Sequence, residues 1–232
     1  MKRKLMLGIA ALIVAVYVGV QYWLGMPSGP VPVGAATPPP SGEGWIDLLA
    51  PAKAAQWKNL GDDKDIFEIK DAMLHIYGVT LLPLRYATYT GEKFTDFELH
   101  VEFKVEPGTN SGLFLRTQPN DPVARGFEVQ VIDDFGDVPT KNSCASIYDV
   151  VSPMFNLSRP AGEWNSYDIV VRGTSVIIHH NGWKVIDTDF AKMTSPLGKF
   201  KIPYAEMVRE GNIAIQDHGG ECWYRNILVR KL

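Results

Sequence analysis

"DFELHVEFKVE", residues 96–106, alternates apolar and polar side chains without a break. Phe97, Leu99, Val101, Phe103 and Val105 fall on one side; Glu98, His100, Glu102 and Lys104 fall on the other. Successive strand residues point to opposite faces, so this is a strand with one oily face. Pro107-Gly108 turns the chain, and "SGLFLRTQ" (111–118) repeats the pattern. "IFEIKDAMLHIYG" (66–78) reads as two short strands around a Lys70-Asp71 turn. The same period runs through "GFEVQVIDD" (126–134), "SIYDVVS" (146–152), "SYDIVVRG" (166–173), "SVIIHHNG" (175–182) and "WKVIDTDF" (183–190). "GNIAIQDHGG" (211–220) and "CWYRNILVRKL" (222–232) close the chain. "NGW" at 181–183 is a hairpin turn. About a dozen short strands with Gly, Asn and Pro turns predict an all-β fold, a two-sheet antiparallel sandwich or jelly roll. Only Ala191–Met193 and Tyr204–Arg209 are expected as brief helices. No internal repeat divides residues 45–232, which read as one domain.

Of the 23 basic residues, three are Lys2, Arg3 and Lys4; the other 20 face 26 acids, so the body is acidic. An acidic body without a basic stripe argues against nucleic acid as a partner. Cys144 and Cys222 are too few for a disulfide framework and lack zinc-site spacing. One disulfide between them is allowed if the domain is exported.

Between Lys4 and Glu43 there is no charge. "LMLGIAALIVAVYVGVQYWL" (5–24) would span roughly 30 Å as a helix, the thickness of a bilayer core. Tyr22 and Trp23 fall where an aromatic belt would sit, and the basic start favours the cytoplasm. Residues 1–25 are therefore expected as a single-pass, uncleaved transmembrane anchor, with the β domain periplasmic at a bacterial inner membrane. A cleaved signal peptide is the competing reading, but the apolar run is long for one. Residues 26–44, rich in Pro and Gly, are expected as a semi-extended tether.

Assigning the apolar set of each strand to the core leaves a second set. Phe114 and Arg116, Glu128 and Gln130, His100 and Glu102, and Gln216 and His218 then point away from it. If these strands are neighbours in one sheet, the groups converge. Such a face suits a sugar: carboxylates and amides bond hydroxyls, and Phe114 or Trp223 can stack on a ring. A solvent-facing sheet surface is the plain alternative. Asp133, Asp134 and Asp137 form a turn or, alternatively, a calcium loop. Otherwise no metal or cofactor is expected: His179 and His180 point to opposite faces and are not joint ligands. Trp164-Asn165 reads as a packed strand start.

"FELHVEFKVEPGTNSGLFLR", "GFEVQVIDD", "EWNSYDI", "NGWKV" and "IAIQDHGGECWYRNILVRKL" together resemble the 3-keto-disaccharide hydrolase domain family, across residues 45–232. The resemblance implies a concanavalin A-like sandwich and action on glycosides oxidised to a ketone at C3. It places the family's polar motif positions at Asn110, Arg116, Glu128, Gln130, Asp133, Tyr148 and His218. Two stretches depart from the family pattern. "LLAPAKAAQWKNLG" (48–61) keeps Leu48, Leu49 and Trp57 but loses the usual glycine turn, and "TKNSCASIYD" (140–149) carries Ser143-Cys144-Ala145 before the tyrosine.

A C3 ketone acidifies the C2 hydrogen, so cleavage requires a base, an oxyanion partner and an acid. The expected assignments are Glu128 or Asp133 as base, Arg116 at the enolate and His218 as acid. Asn110, Gln130, Tyr148, Glu102 and Gln216 would contact substrate. Two other classes of function stay open. One is a carbohydrate-binding domain without catalysis. The other is an accessory subunit clamping the periplasmic side of an integral membrane complex, a photosynthetic reaction centre–light-harvesting complex for example. Small residues of the anchor, such as Gly8, Ala11 and Gly19, would pack on such partners.

Overall fold

The computed structural model describes residues 34–60, 64–79, 83–118, 126–198 and 201–232. The expected anchor and the first part of the tether lie outside these residues. Among the described residues, no helix is long and apolar enough to cross a membrane.

The described residues form thirteen strands. In chain order they are β1 (Ile46–Asp47), β2 (Trp57–Asn59), β3 (Phe67–Lys70), β4 (Met73–Ile76), β5 (Arg85–Phe94), β6 (Phe97–Val105) and β7 (Asn110–Thr117). There follow β8 (Phe127–Ile132), β9 (Asn165–Arg172), β10 (Ser175–His180), β11 (Trp183–Asp189), β12 (Gly211–Asp217) and β13 (Cys222–Lys231). One sheet has the order β11-β10-β9-β6-β13-β4-β3, with β1 also on β13; the other has the order β2-β5-β12-β7-β8. The strand pairings are antiparallel.

The alternation seen in the sequence sets the core. Leu99, Val101 and Phe103 of β6 are buried with Tyr167 and Ile169 of β9 and Tyr224 of β13. The five-stranded sheet adds Leu113, Leu115, Val129, Val131, Ile213 and Ile215 to the same cluster. The Asp71-Ala72 turn, at φ 51° and 57°, and the Asn181-Gly182 turn, at φ 48° and 83°, both have the left-handed pair that closes a two-residue hairpin.

Some expectations change. Residues 146–152 are a looped segment, not a strand: Ile147 bridges both Val129 and Val151, and Ala145 and Asp149 have positive φ. The strand β5, unremarked in the sequence, pairs β2 with β12. A short helix α1 (Pro51–Ala54) occupies the departing opening motif, and 3₁₀ turns occur at Phe190–Lys192 and Tyr204–Glu206.

The later part of the expected tether is bound to the sandwich. Gly34 O accepts from Arg159 Nη1 at 3.3 Å. Thr37 N donates to Ser166 Oγ at 2.8 Å, and Thr37 Oγ1 donates to Asp168 Oδ2 at 2.6 Å. From there the chain crosses to β13, where Ile46 pairs with Val229. In sheet order that path runs over β6. His100 is fully buried there, 2.7 Å from Asp168 Oδ1, although it points away from the core. Burial alone would raise the Asp168 pKa, but the His100 and Thr37 hydrogen bonds outweigh it and hold it below the usual range.

His180, last in β10, points into the core beside Phe103 and Tyr167, and neither ring nitrogen has a partner. Burial pushes its pKa down to about 3 from 6.5. The unfolded chain therefore binds a proton below about pH 6.5 that the folded chain refuses until about pH 3. Stability from this residue is complete above that window and drains away as pH falls through it. His180→Phe should flatten the acid side of the melting temperature–pH curve relative to the parent, measured by calorimetry from pH 3 to 8; an unchanged difference across that range would refute it.

Candidate functional site

The outer face of the five-stranded sheet is a polar surface under cover. Register pairs Phe114 with Glu128, Gly112 with Gln130, and Ala214 with Phe114, which sets Gln216 beside Gly112. Glu128, Gln130 and Gln216 are 6%, 2% and 3% exposed. Gly112 is the floor between the two glutamines. A Cβ added there would overlap Glu128 Oε1, so the carboxylate lies over the glycine. Only the absence of a side chain permits that approach. Gly112 thus leaves a hollow in the row of side chains, which the carboxylate enters, and Phe114, edge-on to Tyr86 at 5.1 Å, is the apolar residue next to it in the row.

Backbone anchoring fixes both glutamines from beneath. Tyr167 reaches across the core from β9, donating to Gln130 O at 2.6 Å and accepting from Ala145 N at 2.8 Å. Ser111 Oγ donates to Gln216 O at 2.7 Å and pairs with Tyr224 OH of β13 at 2.8 Å. Burial raises both phenol pKa values far above the usual range, so these hydroxyls keep their protons. The Gln130 side chain is set locally: its Oε1 accepts from Val131 N at 2.9 Å, which turns Nε2 to within 3.5 Å of Asn110 Oδ1.

The edge strand β8 is extended by the looped segment after it. Gln130 N donates to Ser146 O, Ala145 N to Gln130 O, and Tyr148 N to Glu128 O. Alternation about buried Ile147 puts Ser146 and Tyr148 on the polar face. Tyr204 packs on Phe190, and its pKa is raised by burial first and then by the charges of Glu128 and Asp149. It stands near Glu128 as a neutral phenol.

The expected residues thus divide. Asn110, Glu128, Gln130, Tyr148 and Gln216 share one face, and His218 follows at the end of β12, beside Asn110, whose N donates to Gly219 O. Arg116 leaves it. Two residues, Leu115 and Arg116, sit opposite one, Ile213, and Arg116 has φ 51°: a β-bulge. The bulge swings the guanidinium to the sandwich's end, where it donates to Thr95 O at 2.7 Å, Gly173 O at 2.6 Å and Asp96 Oδ1 at 3.0 Å. Burial lowers its pKa to about 10, with Asp96 opposing. Asp133 is also elsewhere: its Oδ2 accepts from Gly108 N at 2.9 Å and caps the β6–β7 turn.

Glu102 lies on the other sheet. It is buried there, accepting from Arg225 Nε at 2.8 Å and from Asn226 Nδ2 at 2.5 Å, and Asn226 occupies a second bulge. Trp223 shares that sheet's outer face, stacked 4.6 Å from His75 with Lys104 over its ring, so it is no platform for the hollow. Arg225 covers Trp164 at 3.9 Å. Asp134, the neighbour of Asp133, accepts from Cys144 N and Ser158 Oγ and orders the loop between them. Among the described residues, no group of three His, Cys, Asp or Glu could hold a metal ion. Cys144 and Cys222 are buried thiols, each pushed up to about 12 by burial.

Gly112, Ser146, Tyr204 and the Tyr167 tie carry no chemical signature that alternation alone would single out. Gly112 could have been flagged as a glycine interrupting the strand pattern of residues 110–117. Two variants separate the scaffold from the hollow. Arg116→Ala should cost roughly 2–3 kcal/mol, from hydrogen bonds to a charged group, read by denaturant unfolding, with ligand binding per folded molecule retained. Gly112→Ala should displace Glu128 and lower ligand affinity or turnover at least about tenfold, while the circular dichroism spectrum stays native.

The family model of the 3-keto-alpha-glucoside-1,2-lyase-like domain matches residues 44–230. A 3-keto-disaccharide hydrolase of Bacteroides thetaiotaomicron is 32% identical over 174 residues, which cover 60% of this chain and 60% of that protein. A solved "putative glycosyl hydrolase" of Parabacteroides distasonis superimposes with a TM-score of 0.70 at 26% identity, covering 81% of this chain and 99% of that one. The carbohydrate-binding module CBM66 of Bacillus subtilis shares the fold, with a TM-score of 0.53 at 11% identity, over 76% of this chain and 96% of that one.

Proposed function

The chain belongs to the 3-keto-alpha-glucoside-1,2-lyase-like domain family, and from that premise we propose that it cleaves glycosides carrying a ketone at C3. A carbohydrate-related role is common ground between its relatives. The observation that carries the finer reading is the Glu128 carboxylate, lying over Gly112 between two backbone-anchored glutamines. Glu128 is the base. It takes the C2 hydrogen as a proton, and the C2–H electron pair moves into an enolate whose charge rests on the C3 oxygen. Return of that pair forms the C1–C2 double bond and breaks the bond from C1 to the leaving oxygen, which His218 protonates. Water then adds across the double bond.

Arg116 and Asp133 have other duties, so the enolate oxygen falls to neutral donors, foremost the Gln130 amide that Val131 orients. In a water-poor site, fixed amide dipoles stabilise such charge well. Asn110 and Tyr148 orient the ring. We keep the inner-membrane, periplasmic placement on residues 5–24 as part of this proposal; a membrane-fractionation experiment with residues 1–25 deleted checks it.

Glu128→Gln should lower kcat on a 3-keto-glucoside by about 10²–10⁴-fold, the usual size of a general-base contribution, with KM within a few-fold. Turnover equal to the parent would remove Glu128 from the mechanism. A second reading is favoured by the loss of Arg116 from the face: binding of a sugar without cleavage. Glycan affinity by calorimetry, with no product by mass spectrometry, would select it.

A further inference from the structure

We propose that Gln216 selects ligands by accepting a hydrogen bond from one particular hydroxyl of a sugar bound against the Glu128 carboxylate. The inference rests on the carbohydrate reading of this face and extends it to a specificity-determining residue. Gln216 Oε1 is buried and has no hydrogen-bond partner in the protein. The backbone of the same residue is held on both sides: its carbonyl accepts from Ser111, and β12 pairs β5 and β7. The side chain therefore leaves from a fixed point, beside the one position in the row that has no side chain.

A buried acceptor left unmade costs stability, and a mid-strand glutamine gains little from β propensity to offset it. Valine or threonine would fit this central strand better. Such an expense is explained when a ligand completes the bond, because stability is commonly forfeited at binding sites. The missing partner must be a donor. The carboxylate of Glu128 is a neighbour, so an anionic ligand group is disfavoured, and a neutral hydroxyl donating to Gln216 meets both conditions. Sites with a buried polar group built for a hydroxyl reject analogues that lack it far more strongly than apolar pockets discriminate by size.

Ser146 Oγ is a second buried atom without a partner on the same face, beyond Gln130. It marks the far side of the hollow as polar too. The inference concerns Gln216, whose position beside Gly112 the register fixes.

The test uses the full chain and Gln216→Met, which keeps the shape and removes the acceptor. Methyl 3-keto-glucoside and its 2-, 4- and 6-deoxy and deoxyfluoro analogues are compared by calorimetry and by kcat/KM. The parent should lose about 100-fold or more on the deoxy and fluoro analogues of one position, since fluorine accepts but cannot donate. Gln216→Met should lose a similar factor on the unmodified sugar and show no further loss at that position. Its melting temperature should be equal or higher, the opposite of what removal of a structural hydrogen bond would give. Fluoro analogues that bind like the unmodified sugar, or a Gln216→Met protein that still discriminates, would overturn the inference. Binding with this pattern but without turnover would sustain it while refuting the cleavage reaction. Neither binding nor turnover in the parent would refute both.

Discussion

Two tyrosine hydroxyls that cross the core hold the rest of the site in place. Tyr167 rises from β9 to the carbonyl of Gln130, and Tyr224 rises from β13 to Ser111, which bonds the carbonyl of Gln216. Each is completely buried, and each stays protonated. In a low-dielectric interior an unmade bond of this kind is expensive, so the two sheets are keyed to one another at these points. A sandwich held only by aliphatic contact would have no preferred slide of one sheet on the other. Here the slide is pinned beneath the two glutamines that flank Gly112.

The β-bulges do the complementary work of removing side chains from where alternation would leave them. At Arg116 the extra residue turns a cation off the hollow and uses it to join Thr95, Asp96 and Gly173 at one end of the sandwich. At Asn226 a second bulge brings a side chain back to Glu102. The same residue types serve as scaffold at some positions and line the candidate site at others. What separates them is whether a partner already satisfies each polar atom. Arg116, Asp133 and Glu102 are satisfied; the Gln216 acceptor is not.

The two outer faces differ for a related reason. On the eight-stranded sheet, the stretch from Gly34 to Thr37 binds Arg159 and, on β9, Ser166 and Asp168. Cation–aromatic contacts of Lys104, Arg225 and Arg230 occupy much of the remainder. The carboxylates of Glu98, Glu102 and Asp168 on that face are all bonded within the chain. The five-stranded sheet instead keeps a glycine-floored hollow with a carboxylate over it.

Much of this was legible in the sequence. Unbroken alternation in 96–106, 126–134 and 211–217 assigned each side chain to core or exterior, because a strand has only two faces. Asn181-Gly182 announced one hairpin, the other turn is expected at Lys70-Asp71 and lies one residue later at Asp71-Ala72, and family motifs identified the domain. Sequence alone could not show which strands are neighbours, so Glu102 was grouped with Glu128 although the core lies between their sheets. Nor could it reveal a bulge: Arg116 keeps its place in the alternating pattern while a single positive φ redirects its side chain. Local periodicity is a property of consecutive residues, and the chain states it directly. Strand order, register and hydrogen-bond completion depend on residues a hundred positions apart, and only the folded molecule brings those together.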